Sequence, residues 1–155
     1  MAVVADLLAR KGSSIVSIAP HATVLEAVHL MNQHKVGALI VTASNRFMEQ
    51  DGTCQQVIGM FTERDVLTRV IGSHRDAEAT RVDAVMTSHV VFCKPQDELD
   101  EVAETMRSNR IRHVPVCDDE GRLLGLVSIG DLNAWRVQGQ EDTIYYLNEY
   151  IQGRV

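Results

Sequence analysis

The chain carries one pattern twice, and that duplication limits its fold more than any other feature. Pro20 to Val41 aligns with Pro95 to Val116 at a constant offset of 75, with Pro20/Pro95, Glu26/Glu101, Met31/Met106 and Val41/Val116 identical and most apolar positions kept apolar. At an offset of 66 the match resumes, setting Gly59-Met-Phe-Thr62-Glu-Arg-Asp65 against Gly125-Leu-Val-Ser128-Ile-Gly-Asp131. A duplicated supersecondary unit is expected to bury the apolar face of one copy against the other. In 155 residues each half is marginal as an independent core, so the two share one domain. Such packing leaves two related clefts at a pseudo-twofold seam, and function is to be sought there.

Each copy reads β-α-β-β-α. Thr23-Val-Leu-Glu26 is a capping box ahead of Val24, Ala27, Val28 and Met31, which recur at helical spacing and predict a helix to about His34. The second copy repeats the scheme with Asp97 or Glu98 near the cap and Leu99, Val102, Ala103 and Met106 as the stripe. Val36 to Val41 and Ile111 to Val116 are short apolar runs rich in β-branched residues, as in strands covered on both faces. Val57 to Phe61 and Leu123 to Val127 are further strands, each leading into a second helix, Glu63 to Ile71 or Ile129 to about Val137. Leading strands are expected at Ile15 to Ile18 and Val90 to Cys93. Thr42 to Ile58 is a long polar loop, expected to be mobile, where the second copy has a tight hairpin at Asp118-Asp-Glu-Gly121. Gly72 to Thr80 is a charged linker, and Asp142 to Ile151 is a separate terminal helix with Ile144, Leu147 and Ile151 on one face. The fold class is therefore α/β of the α+β kind, in two tandem βαββα repeats, residues 1–80 and 81–155.

A formal net charge of -6 with interspersed signs lacks the basic footprint of a nucleic-acid binder. Cys54, Cys93 and Cys117 are far apart and in no Cys-x-x-Cys pair, which argues against a disulfide frame and a zinc site and for a reducing, cytoplasmic setting. His21, His29, His34 and His74 show no ligand spacing and read as surface residues, so no metal is expected. Met1 to Lys11 lacks the order of a signal peptide, and no apolar stretch approaches the ~20 residues of a membrane span. No catalytic residue is assigned: Gly-x-Ser-x-Gly, Walker and Cys/His nucleophile patterns are missing from the sequence.

The two strand-to-helix turns carry chemistry. A hydroxyl at a helix start leaves backbone N–H groups facing outward, a place for phosphate. Three residues on, Asp65 or Asp131 offers an acceptor-only carboxylate able to take both hydroxyls of a ribose, and the adjoining apolar strands offer a slot for a base. Thr62-x-x-Asp65 and Ser128-x-x-Asp131 are equally well read as capping boxes that need no ligand, and the two readings are compatible.

The unit, with Val36-Gly-Ala-Leu-Ile-Val41 or Arg112-His-Val-Pro-Val116 on its second strand and Gly-φ-φ-Thr/Ser-x-x-Asp at the turn, resembles the CBS (cystathionine β-synthase) domain, and the pair is similar to a Bateman module. Val85-Met86-Thr87 matches the usual lead-in, whereas Leu8 to Lys11 departs from it by about two residues. The resemblance implies clefts that combine the turn of one repeat with strands of the other. Site one then takes Thr62, Arg64 and Asp65 with His89, Val90, Arg112, His113, Val114 and Pro115. Site two takes Ser128 and Asp131 with Ser14, Ile15, Val36, Gly37 and Ala38. Arg112 and His113 stand where the first copy has Gly37 and Ala38, so phosphate belongs mainly at site one and room at site two. Surface ion pairing is the other reading of Arg64, Arg110 and Arg112. The function implied is a non-enzymatic regulatory module that senses an adenine nucleotide, AMP first, with ADP, ATP, NAD or S-adenosylmethionine as further candidates. It acts in trans on a partner protein as a homodimer, through apolar helix faces at Val66, Leu67, Val70, Leu132 and Trp135. The rival is a ligand-free structural CBS dimer whose turns are only caps.

Overall fold

The structure, a computed structural model, describes residues 1–12, 15–43 and 57–153. It opens on a helix that the sequence patterning had not resolved, α1 (Val4–Lys11). Repeat one follows as β1 (Ser17–Ile18), α2 (Val24–His34), β2 (Ala38–Thr42), β3 (Val57–Thr62) and α3 (Glu63–Asp65), which continues as a π-helical segment, Val66–Ile71. A short helix, α4 (Val82–Val85), leads to repeat two: α5 (Leu99–Asn109), β4 (His113–Cys117), β5 (Leu123–Ser128) and α6 (Ile129–Ile151). β1 lies parallel to β2, while β2–β3 and β4–β5 are antiparallel. The expected mixed α+β architecture of two tandem repeats is thus present.

Local chemistry explains the elements. Thr23 Oγ1 accepts from Glu26 N at 3.1 Å and Glu26 Oε2 accepts from Thr23 N at 2.8 Å, closing the predicted capping box of α2. The hairpin at Asp118 forms because Asp118 Oδ1 accepts from the backbone N–H of Glu120 and Arg122 at 3.0 and 2.8 Å, while Gly121 takes φ +80°. Residues 44–56 of the long loop in repeat one, including Cys54, lie outside the described residues.

The lead-in helices are exchanged. α1 precedes repeat one yet sinks Val4 and Leu7 into the core of repeat two, among Val102, Met106, Val114 and Val127. α4 precedes repeat two yet sinks Val82 and Val85 into the core of repeat one, among Val24, Leu39 and Phe61. The duplicated prolines supply the acceptors: Ala5 N donates to the Pro95 carbonyl at 2.8 Å and Asp83 N to the Pro20 carbonyl at 3.0 Å. A third apolar cluster, built on Ala38, Ile40 and Met60 with Val90, Leu123 and Leu126 against it, joins the two sheets.

Three expectations change. The strand at Val90 to Cys93 contracts to the single residue Cys93, whose N donates to the Pro115 carbonyl at 3.0 Å. The chain is still tied to β3 at Thr87, which exchanges hydrogen bonds of 2.8 and 2.9 Å with Met60, so little length remains after the crossing to repeat two. The helix starting at Ile129 does not stop near Val137 but runs unbroken through the terminal segment. Gly139 lowers helix propensity by about 1 kcal/mol relative to Ala but does not block the ladder, and its carbonyl accepts from Thr143 Oγ1 at 2.9 Å. Finally, Val70 and Leu132 are buried, Val66 packs on the first core and Trp135 on the second, so of the five apolar residues expected on open helix faces only Leu67 is exposed. The longest run of open apolar surface among the described residues lies along the end of α6, at Ile144, Tyr145, Tyr146, Leu147, Tyr150 and Ile151.

Candidate functional site

β3 and β5 deliver Thr62 and Ser128 to equivalent helix starts, and both turns are closed capping boxes. Asp65 Oδ2 accepts from Thr62 N at 3.0 Å, and Asp131 Oδ2 from Ser128 N at 2.8 Å. What surrounds the two carboxylates differs. Asp65 is only 4% exposed, and its Oδ1 accepts from Thr87 Oγ1 at 3.2 Å with Arg69 Nε 3.6 Å away. Asp131 is more open, and its Oδ2 holds Lys11 Nζ at 2.5 Å; the same ammonium donates to the Leu126 carbonyl at 2.7 Å. Burial pushes the Asp131 carboxyl up, but the hydrogen bonds and charge of Lys11 together with Ser128 hold it below the usual carboxylate range.

Seven residues of predicted site one, Thr62, Arg64, Asp65, His89, Val90, Arg112 and His113, line a single cleft of about 580 Å³ between the repeats. Val114 and Pro115 do not line it: β4 turns Val114 into the second core, and Pro115 is buried on the strand without reaching the cleft. Of site two, Asp131 is bonded to Ser128 and paired with Lys11, Ile15 and Ala38 belong to the seam cluster, and Val36 packs on the first core. Gly37 lines cleft one instead, and the room expected beside it is taken by Glu63, whose carboxylate carbon stands 3.2 Å from where a Cβ would be. Ser14 lies outside the described residues.

The electrostatics of cleft one fit an anion at one end. Arg110 ends α5 in a left-handed conformation, φ 54°, and its carbonyl takes Arg64 Nη1 at 2.8 Å. Arg64, Arg110 and Arg112 all line this end of the cleft. Burial holds the His113 imidazole below its ordinary pKa, against the pull of Asp131 and Glu63, so at neutral pH the ring is uncharged and can donate at one nitrogen and accept at the other. Asp65, Thr62 and Thr87 supply acceptors and hydroxyls, and Met60, Val90 and Ile111 an apolar lining. Sequence reasoning passed over Glu63, Arg69 and Thr87 as cleft residues, and weighed Arg110 only as a surface ion pair. Thr87 was visible in the Met86-Thr87 lead-in, but Lys11 was legible only once α1 was known to cross to repeat two.

Elsewhere, burial drives the Cys93 thiol up to about 12, with Asp97 and Cys117 adding to the shift, so it is a poor thiolate. Among the described residues no three His, Cys, Asp or Glu side chains converge as a metal would need, and no helix is long and apolar enough to cross a membrane.

The model of the CBS domain family matches residues 4–72 and 82–137. Over 133 residues the chain is 38% identical to the mitochondrial CBS domain-containing protein CBSX3 of Arabidopsis thaliana, a match covering 84% of this chain and 61% of that protein. A structure from Burkholderia ambifaria, described as a signal-transduction protein with CBS domains, superposes at a TM-score of 0.80 with 34% identity, covering 90% of this chain and 96% of that one. A CBS domain protein from Pyrobaculum aerophilum, complexed with AMP, superposes at 0.70 with 27% identity over 84% of this chain and 89% of that one.

Proposed function

The chain belongs to the CBS domain family, and from that premise we propose that it is a regulatory adenine-nucleotide sensor with its ligand in cleft one. Residues 1–80 and 81–155 act together as one module, non-enzymatic and cytoplasmic, that works as a homodimer and passes nucleotide occupancy to a partner protein in trans. The observation that carries this reading is the convergence of Thr62, Asp65, His89, Arg112 and His113, drawn from both repeats, on one cleft. Asp65 takes the ribose hydroxyls and Arg112 the phosphate of an AMP-like ligand. Binding across the seam reads out as a change in how the repeats meet, because only a ligand with different affinity for two states can shift them. The AMP complex of the Pyrobaculum relative supports the ligand class.

For the second turn the rival reading has a specific observation in its favour. Lys11 already satisfies Asp131, so there the box serves as a helix cap and an ion pair rather than as a ribose site.

The test separates phosphate from nucleoside. Arg112→Ala is expected to weaken AMP by roughly 1.5–3 kcal/mol, the worth of a charge-assisted hydrogen bond, and to leave adenosine almost unchanged. Calorimetry on both ligands reads it. Equal losses for the two would make Arg112 structural, and the absence of any AMP or ADP effect on the melting temperature of the unaltered protein would overturn the sensor reading.

A further inference from the structure

Beside cleft one lies a second cavity, a groove of about 510 Å³ between α5 and α6. Arg64, Arg110, Ile111 and Arg112 line both, so the groove adjoins the arginine end of the cleft. Arg107 from α5 and Arg136 from α6 bring the arginines lining the groove to five, against two carboxylate residues, Asp100 and Glu104. Local charge is thus positive in a chain whose net charge is -6.

The fold does not require these arginines. At the positions related by the offsets of 75 and 66, repeat one has Asn32 for Arg107, Lys35 for Arg110, Gly37 for Arg112 and Val70 for Arg136. The same helix-strand-helix corner therefore forms without a single guanidinium. Nor are the existing pairs strong. Arg107 pairs with Glu104 one turn earlier on α5, and Arg136 with Asp100 at 3.0 Å, both on open surface where such pairs are worth about 0–1 kcal/mol. Either arginine can be redirected to a phosphate, for which the planar, bidentate guanidinium is well suited.

Building on the nucleotide reading of cleft one, we propose that the groove receives the phosphates beyond the first, so that the preferred ligand is a nucleoside di- or triphosphate rather than a monophosphate. Arg112 and Arg64, on the shared wall, hold the first phosphate; Arg107 and Arg136, outside the cleft, hold the later ones.

Isothermal calorimetry on the full chain with AMP, ADP, ATP and inorganic tripolyphosphate tests this, against a chain carrying Arg107→Gln and Arg136→Gln together. Both positions are exposed, so the altered chain is expected to keep its melting temperature. ADP and ATP are expected to bind about tenfold or more tighter than AMP, the gain of one added charge-assisted contact. The double substitution is expected to remove that advantage while leaving AMP unchanged. Equal affinity for AMP, ADP and ATP, or equal weakening of all three, overturns the groove assignment and leaves the sensor reading standing. If no nucleotide binds, the sensor reading falls, and tripolyphosphate decides the groove alone: binding lost on double substitution upholds it as a polyphosphate site, and no binding overturns it.

Discussion

Asp65 and Asp131 occupy equivalent places in the two repeats and cap equivalent helices, but their partners differ: Asp65 is buried beside the Thr87 hydroxyl with Arg69 Nε 3.6 Å away, whereas the more open Asp131 carries Lys11 in direct contact. A ribose would have to displace an ammonium 2.5 Å from Asp131 Oδ2 that is also anchored on the Leu126 carbonyl. We therefore expect one nucleotide per chain. Lys11→Met should raise the calorimetric stoichiometry to two, because methionine keeps the apolar stem and frees the carboxylate. The ion pair is partly exposed, so its loss should lower stability by no more than about 1 kcal/mol. A stoichiometry of one that persists in the Lys11→Met chain would remove Lys11 as the cause of the asymmetry.

At the scale of elements, the exchange of α1 and α4 organises the molecule, and it also marks the limit of what the sequence revealed. The duplication, the capping boxes and the apolar runs of β2 and β4 were legible because each is a local pattern with a short period. α1 was not, since Val4 and Leu7 gain their meaning from a core some hundred residues downstream. The site followed the same division: Thr62, Asp65, Arg112 and His113 sit on repeated motifs, whereas Val114 was lost to the second core by the facing of its strand, and Lys11 arrives at Asp131 by a crossing that no local pattern records. The crossing leaves its own mark at two repeat-related glycines. A Cβ on Gly59 would lie 2.5 Å from Met86 Sδ and 2.9 Å from the Thr87 carbonyl oxygen, whereas on Gly125 it would meet only the end of Leu8, at 2.8 Å. Leu8 thus stands to repeat two as Met86 stands to repeat one. Gly59→Ala must move backbone and should cost about 1–3 kcal/mol, the usual penalty of overpacking, while Gly125→Ala needs only a leucine rotamer change and should cost less. Chemical denaturation of both reads the difference, and a Gly125→Ala chain as unstable as Gly59→Ala would contradict the rigid seat at Thr87.

For the whole molecule, the end of α6 is the feature a single chain leaves unexplained. The helix has 23 residues, and within it only Leu132 is buried. From Gln140 onward it exposes Ile144, Tyr145, Tyr146, Leu147, Tyr150 and Ile151, each more than half accessible. A helical extension of that length is marginal in water without packing, and an aromatic-rich apolar run is the composition of an interface rather than of a solvated surface. A second copy is the occupant we propose, since closed twofold pairing covers identical surfaces on both partners at once. The exposed pair Leu67 and Ile71 on the helix after β3 offers a further apolar patch for the same contact. Light scattering of the full chain should therefore give twice the mass of 17.2 kDa, and truncation after Gln140 should shift the population toward monomer while leaving both cores, and hence most of the melting temperature, intact. A monomer at tens of micromolar, with or without nucleotide, would overturn the homodimer. A truncated chain that stays fully dimeric would keep the dimer but move its interface away from α6 to the helix carrying Leu67 and Ile71.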